Sequence, residues 1–252
     1  MHDRFYIENN LNLDEHADKE IEIASITGHL KAFRKKSGDE IRLYDCRGNI
    51  YHSVILEISK KYSRLKIFSK EFHAKGALKI HLFLPFIASH LMDRLISRVS
   101  ELEIASIHPV TTSRSLALKD GAGLAAKMIK WDKISKESCI LSGRNYQAKV
   151  EMPQSLEDSF KVAGGYDIKL LASPGARVYL KEFLGGLDHK RKVKDIGLFI
   201  GPEGDFSPGE LKLSEKYGIL GIKLSNFIMS TFTASIYFAS NIACFFSSGY
   251  AS

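Results

Sequence analysis

The chain has 252 residues, 44% of them hydrophobic and 26% charged, with 36 Lys+Arg against 29 Asp+Glu for a net charge of +7. This is globular composition. It excludes a disordered, collagen-like or low-complexity scaffold, and the length suffices for one large or two small domains. The cysteines Cys46, Cys139 and Cys244 are too scattered for a disulfide framework or a CxxC metal knuckle, which points to a reducing, cytoplasmic setting. The opening MHDRFYIENN has no apolar core, so no signal peptide is expected. The charge balance is +2 over residues 1–75, +6 over 76–195 and −1 over 196–252, and nothing after Lys223 is charged. The excess in the first two segments suits a polyanionic partner.

The first third reads as β. Ile41 to Cys46 alternates, Arg47-Gly48-Asn49 is a turn, Ile50 to Ile58 alternates again, and Arg64 to Phe68 is a further strand. Short strands with polar turns predict a small barrel over residues 1–73, with the polar stretch Ser69 to Gly76 as linker. The rhythm then changes. Leu78 to Phe86 is almost continuously apolar, as in a strand buried on both faces. A helix follows from about Ser89 to Glu103, and a strand from Ile104 to Val110. Leu116 to Ile129 and Ile134 to Leu141 read as two helices, and Ser155 caps a helix through Ala163. Ile168 to Ala172 is a strand, Arg177 to Leu187 a helix, and Ile196 to Ile200 a strand. Ser207 to Tyr217 is a helix, Gly218 to Leu224 a strand, and Thr231 to Ser247 the last helix. Alternating strands and helices over residues 74–252 predict an α/β domain with a mostly parallel sheet.

The most informative segment is Asp195 to Glu210, DIGLFIGPEGDFSPGE. An apolar strand runs into Gly201-Pro202-Glu203-Gly204, and a helix opens with Ser207, Pro208 and Glu210. Ser207 with Glu210 is a capping box, and Pro208 holds the first helical position. Glycines at the carboxyl end of such a strand let a ligand approach the backbone, which is where open α/β sheets bind their ligands. No Lys follows, so a Walker loop is excluded. A plain strand–helix turn with an exposed Glu203 explains the same residues.

The stretch Ile200 to Ser207 resembles the IGPEGGFS signature of the RsmE-type ribosomal RNA methyltransferases of the SPOUT superfamily. Other resemblances follow in order along the chain: Arg4 to Ile7 with RFFV, His29 to Arg34 with HxxVLR, and Gly38-Asp39 with GD. Leu43 to Gly48 is similar to the DGxG element, Ser100 to Leu102 with Ile107 to Pro109 to TELG and its strand, and Ser113 to Ser115 to ERS. Trp131 through Ser142-Gly143-Arg144 resembles the W and QSGR stretch. The late motif LGxRILRxETA is matched less well by Leu224 to Ala234: Ser225 stands for its Gly, Phe227 and Ser230 for its arginines, and Phe232 for its Glu. Ile140 and Leu141 stand where the QSGR stretch carries Glu and Gln, and Ala88 to Asp93 where the family has KGDRME.

The resemblance implies an N-terminal PUA-like β-barrel and a C-terminal SPOUT domain with a trefoil knot. It also implies S-adenosylmethionine (SAM) as cofactor, N3 of a uridine in 16S ribosomal RNA as target, and a homodimer. Three loops would hold the cofactor: Ala172 and Ser173; Ile200, Gly201, Pro202, Glu203 and Gly204; and Leu224, Ser225, Ile228, Met229 and Thr231. Glu203, Ser230 and Thr231 are the candidate catalytic groups, although Ser230 and Thr231 serve equally well as helix caps. Arg4, His29, Arg34, Arg114 and Arg144 are candidate RNA contacts. No residues show metal-ligand spacing. Ser, Thr and Asn residues from Asn226 to Ser248 interrupt the charge-free tail, so it is no membrane span. Its helical face Ile236, Ala239, Ala243 and Phe246 is expected to be buried against a partner subunit. An RNA-binding relative without turnover, or a small-molecule α/β enzyme, would share most of these features.

Overall fold

The computed structural model describes residues 3–7, 19–116, 122–188 and 192–247, which form two compact units. The first comprises residues 1–75 with 136–147, and the second 76–135 with 148–252. Residues 136–147, expected in the second domain, thus belong to the first unit.

In the first unit, β1 (Arg4–Tyr6), β2 (Lys19–Ile23), β3 (Glu40–Tyr44), β4 (Asn49–Ile58) and β5 (Ser63–Phe72) form one sheet in the order β1-β3-β4-β5-β2. Only the β1–β3 pairing is parallel. Helix α1 (Thr27–Ala32) contributes Leu30 to a core of Phe5, Ile7, Ile41, Leu43, Ile55, Leu65 and Ile67. The β3–β4 turn is organised by Asp45, whose carboxylate accepts from the amides of Arg47 (2.7 Å) and Asn49 (3.0 Å). Gly48 has φ of +101°, and a Cβ there would collide with the Tyr146 hydroxyl and the His73 carbonyl, so only glycine fits. Strand β5 runs to Phe72 through half of the expected linker. Those residues read as polar because the end of the strand is exposed.

The second unit is built on eight parallel strands: β6 (Lys79–Pro85), β7 (Ile104–Thr111), β8 (Lys149–Val150), β9 (Gln154–Ser155), β10 (Ile168–Ala172), β11 (Val178–Tyr179), β12 (Asp195–Ile200) and β13 (Leu220–Lys223). Their order is β11-β13-β10-β12-β6-β7-β8, with β9 also on β7. Side-chain alternation supplies both faces. Ile80, Leu82 and Leu84 of β6, Leu170 and Ala172 of β10, and Ile196, Leu198 and Ile200 of β12 enter one core. Phe83, Leu171 and Phe199, from the alternate positions, enter the other. The first face is covered by α2 (Ser89–Ser100), α5 (Leu180–Gly185) and α7 (Thr231–Ser247), and by Trp131 of α3 (Ala122–Ser142). The second is covered by α4 (Leu156–Val162) and α6 (Pro208–Lys216).

Three helical expectations change. Residues 122–142 form one helix where two were expected, while residues 117–121 of the first lie outside the described residues. The buried side of α3 passes from Trp131 to Ser135 and Ser138, so its apolar periodicity lapses although nothing breaks the backbone. The helix expected from Arg177 begins only at Leu180, because Val178 and Tyr179 pair with β13 as an edge strand. In the tail, Ala239, Ala243 and Phe246 pack into this chain's own core with Phe238 and Ile242, and Ile236 packs against it. That face is therefore not left for a partner. The sheet needed covering, and the nearest apolar helix covers it.

At the amino ends of the central strands, opposite the loops described next, four polar side chains form a hydrogen-bonded chain. Asp195 Oδ1 lies 3.0 Å from His81 Nε2, His81 Nδ1 lies 2.7 Å from Ser106 Oγ, and Ser106 Oγ lies 2.7 Å from His108 Nε2. The Tyr166 ring stacks on His81 at 4.4 Å.

Candidate functional site: a cavity at the carboxyl ends of the strands

Strands β10, β12 and β13 end side by side, and each is followed by a loop rather than directly by a helix. The three loops enclose a cavity of about 370 Å³, within the usual small-ligand range of roughly 300–1,000 Å³. Ala172, Ser173, Ile200, Gly201, Pro202, Glu203, Gly204, Leu224, Ser225, Ile228, Met229 and Thr231, the twelve residues proposed for cofactor contact, all line it. Pro174, Asp205, Phe227 and Ala234 complete the wall.

The loops are joined by hydrogen bonds. The buried Thr231 hydroxyl donates to the Gly201 carbonyl at 2.9 Å, and the Thr231 amide donates to Glu203 Oε1 at 3.2 Å. Ser173 donates its amide to Ile222 O (3.0 Å) and its hydroxyl to Asp205 Oδ2 (3.4 Å). Gly201 is packed closely, since a Cβ there would stand 3.2 Å from both Asp205 and Phe206. On the far side of the loop the expected capping box forms: Ser207 Oγ accepts from Glu210 N–H at 3.3 Å, and Glu210 accepts from Ser207 N–H at 2.8 Å. Glu210 also accepts from Ser113 N–H (2.8 Å) and Oγ–H (2.9 Å), tying the segment after β7 to α6. Burial pushes the Glu210 carboxyl up, but these donors outweigh it and hold the group below its usual range.

The candidate catalytic groups separate. Glu203 and Thr231 meet in the cavity wall. The Glu203 carboxylate caps α7 by accepting its first amide, where the helix dipole also favours a negative charge. Ser230 does not line the cavity; its hydroxyl accepts from the Thr233 amide at 3.3 Å, which is the helix-cap role. Asp205 is an acidic wall residue that the sequence reading missed. It has φ of +57°, a conformation natural to glycine, and it stands at the last Gly of the resembled GPEGG run. That replacement was the available signal.

The candidate RNA contacts are divided between the two units. Arg4, His29, Arg34 and Arg144 belong to the first unit and Arg114 to the second. Arg4 donates its Nε–H to the Tyr44 hydroxyl (2.8 Å) with its guanidinium 4.4 Å over the Tyr44 ring. His29 and Arg34 are exposed. Arg114 lies across the glycine loop and donates to the Gly204 carbonyl at 2.7 Å, so a cation is fixed at the edge of the cavity.

The wall carries two carboxylates, Glu203 and Asp205, and no Lys or Arg, with apolar surface from Ile200, Leu224, Ile228, Met229 and Ala234. Such a site suits a ligand with an apolar body and positive charge, and disfavours a phosphate-rich one. Among the described residues no group of His, Cys, Asp and Glu could hold a metal ion. No helix among them is long and apolar enough to cross a membrane.

Comparison with known proteins bears on this site. The model of the RNA methyltransferase domain family matches residues 74–243, and that of the RNA methyltransferase PUA domain matches residues 26–68. The ribosomal RNA small subunit methyltransferase E of Buchnera aphidicola (subspecies Acyrthosiphon pisum) is 25% identical over 237 residues, covering 92% of this chain and 89% of the relative. A methyltransferase structure from Legionella pneumophila, solved with bound SAM, superposes with a TM-score of 0.84 at 24% identity, covering 98% of each chain. The ribosomal RNA small subunit methyltransferase E of Neisseria gonorrhoeae, bound to SAM, does so with a TM-score of 0.81 at 22% identity over 95% of each chain.

Proposed function

The chain belongs to the RNA methyltransferase family, and from that premise we propose that it methylates N3 of a uridine in 16S ribosomal RNA with SAM as methyl donor. The carrying observation is the cavity itself: twelve residues from three separate loops, expected to hold one cofactor, line one space. Its chemistry fits. SAM combines a flat adenine ring with sulfonium and ammonium charges that outweigh its one carboxylate, and the wall offers apolar side chains with Glu203 and Asp205 and no competing cation.

When bound, SAM supplies an electrophilic methyl group, and the protein's part is to align it with N3 and handle the imide proton. Gly201 and Gly204 bring backbone close to the ligand. Thr231 locks the Gly201 carbonyl in place, and Glu203 holds the start of α7 against the same loop. Asp205 and Glu203 are the carboxylates of the wall, and the N3 proton is assigned to one of them. Arg114, fixed on Gly204, offers positive charge to an RNA phosphate or to the developing imide anion.

The same reading includes a trefoil knot, a cytoplasmic site of action and a homodimer. It assigns RNA positioning to residues 1–73 and methyl transfer to residues 74–252. Dimer formation is supported by exposed apolar groups beside the cavity, Phe227 (84% exposed) and Ile228 (86%), and by the half-open Tyr237 of α7. A reading as an RNA binder without turnover is favoured by one observation: Ser230 and Glu203 both serve as caps of α7.

Mass spectrometry of 16S ribosomal RNA from a strain lacking this gene, with and without complementation, tests the assignment. Loss and restoration of one N3-methyluridine is the expected result; an unchanged modification in the deletion strain overturns it.

A further inference from the structure

Helix α2 buries Met92, Leu95, Ile96 and Val99 and turns His90, Arg94 and Arg98 to solvent in a row spaced by four residues. Arg98 is committed to Glu101, to which it donates at 2.9 Å. Arg94 is placed differently. Its guanidinium carbon stands 5.7 Å from the ring centroid of Phe232, and among the described residues no carboxylate pairs with it. Phe232 follows Thr231, the residue that closes on Gly201 in the cavity wall. The row His90–Arg94 therefore leads along α2 to the first turn of α7, beside the cavity.

An arginine stacked on an aromatic face is held in position while the N–H donors at its edge stay available, whereas one paired with a carboxylate has them occupied. The charged side chains of the cavity wall, Glu203 and Asp205, are both negative, so the wall is unsuited to the phosphates that flank a target nucleotide. Those phosphates need cations outside the wall. Arg114 stands on the glycine loop and Arg94 beside the start of α7.

We infer that Arg94, stacked on Phe232, grips the RNA backbone next to the target nucleotide, with His90 extending the contact along α2. This rests on the proposed reading of the cavity as a site of RNA methylation. A guanidinium can present two parallel donors to a phosphate, so the contact is both electrostatic and orienting. In this chain the aromatic ring at 232 is what leaves the guanidinium free for that role.

The test uses the full-length protein saturated with SAM and a transcript of 16S ribosomal RNA. Wild type is compared with Arg94→Gln, Arg94→Lys and Phe232→Glu. Arg94→Gln is expected to weaken RNA binding and raise KM for RNA by about tenfold, as for loss of one charged hydrogen-bonding contact. It should also flatten the log–log dependence of RNA affinity on salt by about 0.7, the increment for one phosphate on a single strand. SAM affinity and melting temperature should stay at wild-type values. Arg94→Lys should keep the salt slope while losing part of the affinity, because the charge remains and the fork is gone. Phe232→Glu should reproduce the Arg94→Gln effect on RNA by pairing the guanidinium.

An Arg94→Gln protein that methylates with wild-type KM and salt slope overturns the inference alone. So does a loss of SAM affinity as large as the loss of RNA affinity, since Arg94 would then act by shaping α7. A wild-type protein that binds the transcript through Arg94 but transfers no methyl group supports the inference and overturns the proposed reaction. Failure of wild type to bind the transcript overturns both.

Discussion

Thr231 closes the cavity on Gly201: its hydroxyl donates to the glycine carbonyl at 2.9 Å across thirty positions of sequence. The bond sets the spacing between the loop after β12 and the start of α7, and both are cavity walls. Thr231→Val keeps the shape and removes the donor, leaving the Gly201 carbonyl unpaired. SAM affinity is expected to fall about 2- to 12-fold, the range for a net loss of about 0.5–1.5 kcal/mol. Thr231→Ser should retain it. Calorimetric titration checks both, and equal affinity for the valine variant would show that the bond does not shape the site.

Glu203 has two separable duties. As cap of α7 it needs only an acceptor oxygen, which Gln supplies; as a proton acceptor it needs the carboxylate. Glu203→Gln is expected to keep the melting temperature and lose turnover by at least tenfold, of the order assigned to general bases. Glu203→Ala should lose turnover and also about 0.5–2 kcal/mol of stability, the cost of a missing cap. A Gln variant with full turnover would reduce Glu203 to a capping residue.

His108 predicts a pH dependence of folding. Burial, then the neighbouring His81 and Lys149, lower its pKa from 6.5 to about 4. The unfolded chain therefore takes up a proton near pH 6.5 that the folded protein refuses until about pH 4. Stability contributed by the neutral, hydrogen-bonded ring is complete above pH 6.5 and declines as the pH falls toward 4, by about 3 kcal/mol in all. Denaturant titrations across that interval should show the decline, and His108→Gln should flatten it. An unchanged pH profile in that variant would assign the decline elsewhere.

Glu210 gathers Ser113 and Ser207 on one carboxylate, so it fixes the segment that carries Arg114 as well as capping α6. Glu210→Ala is expected to cost about 0.5–1.5 kcal/mol, the net worth of hydrogen bonds between exposed and partly buried groups. It should also weaken RNA binding through Arg114 more than SAM binding. Thermal melts together with the two affinities check this; SAM and RNA losses of equal size would contradict it.

The packing of α7 yields a prediction about assembly. Phe246 and Phe238 fill the core of their own unit, so truncating either destabilises the folded chain by about 3–5 kcal/mol whatever the protein concentration. Were this face held by a partner, Phe246→Ala would weaken self-association along with stability. Sedimentation of Phe246→Ala beside the wild type over a hundredfold range of concentration separates the two.

What could be read from the residues followed from how local the signal was. The strands around Leu82 and Leu198 and the start of α6 at Ser207 are written in alternation and in one capping box, and they were legible. The resemblance brought twelve wall residues together by name, although the sheet order that makes their loops adjacent is a long-range property. Features decided by tertiary neighbours were missed. Past Trp131 the buried side of α3 is polar, with the Ser135 hydroxyl donating to the Ala148 carbonyl, so apolar spacing does not reveal it. The destination of the α7 face depends on which apolar surface lies nearest. Arg4, a candidate RNA contact in the sequence, donates its Nε–H to the Tyr44 hydroxyl, a partner forty positions away. Cys46 and Asp205 both occupy left-handed positions where the resembled motifs carry glycine, and the mismatch was readable though its consequence for the wall was not.

The order of the strands also bears on when this protein can fold. β6, at residues 79–85, is flanked by β12, which begins at Asp195, and the cavity needs β13 and the first turn of α7 as well. The central strand must wait for a neighbour more than a hundred residues downstream, and the binding site for nearly the whole chain. Contacts so distant in sequence form slowly because a long loop must close before they are rewarded. During synthesis the second unit thus stays incomplete until α7 has left the exit tunnel. A chain stopped at Ser230 should bind no SAM, while β3, β4 and β5, each paired with the next strand in sequence, are free to order themselves early.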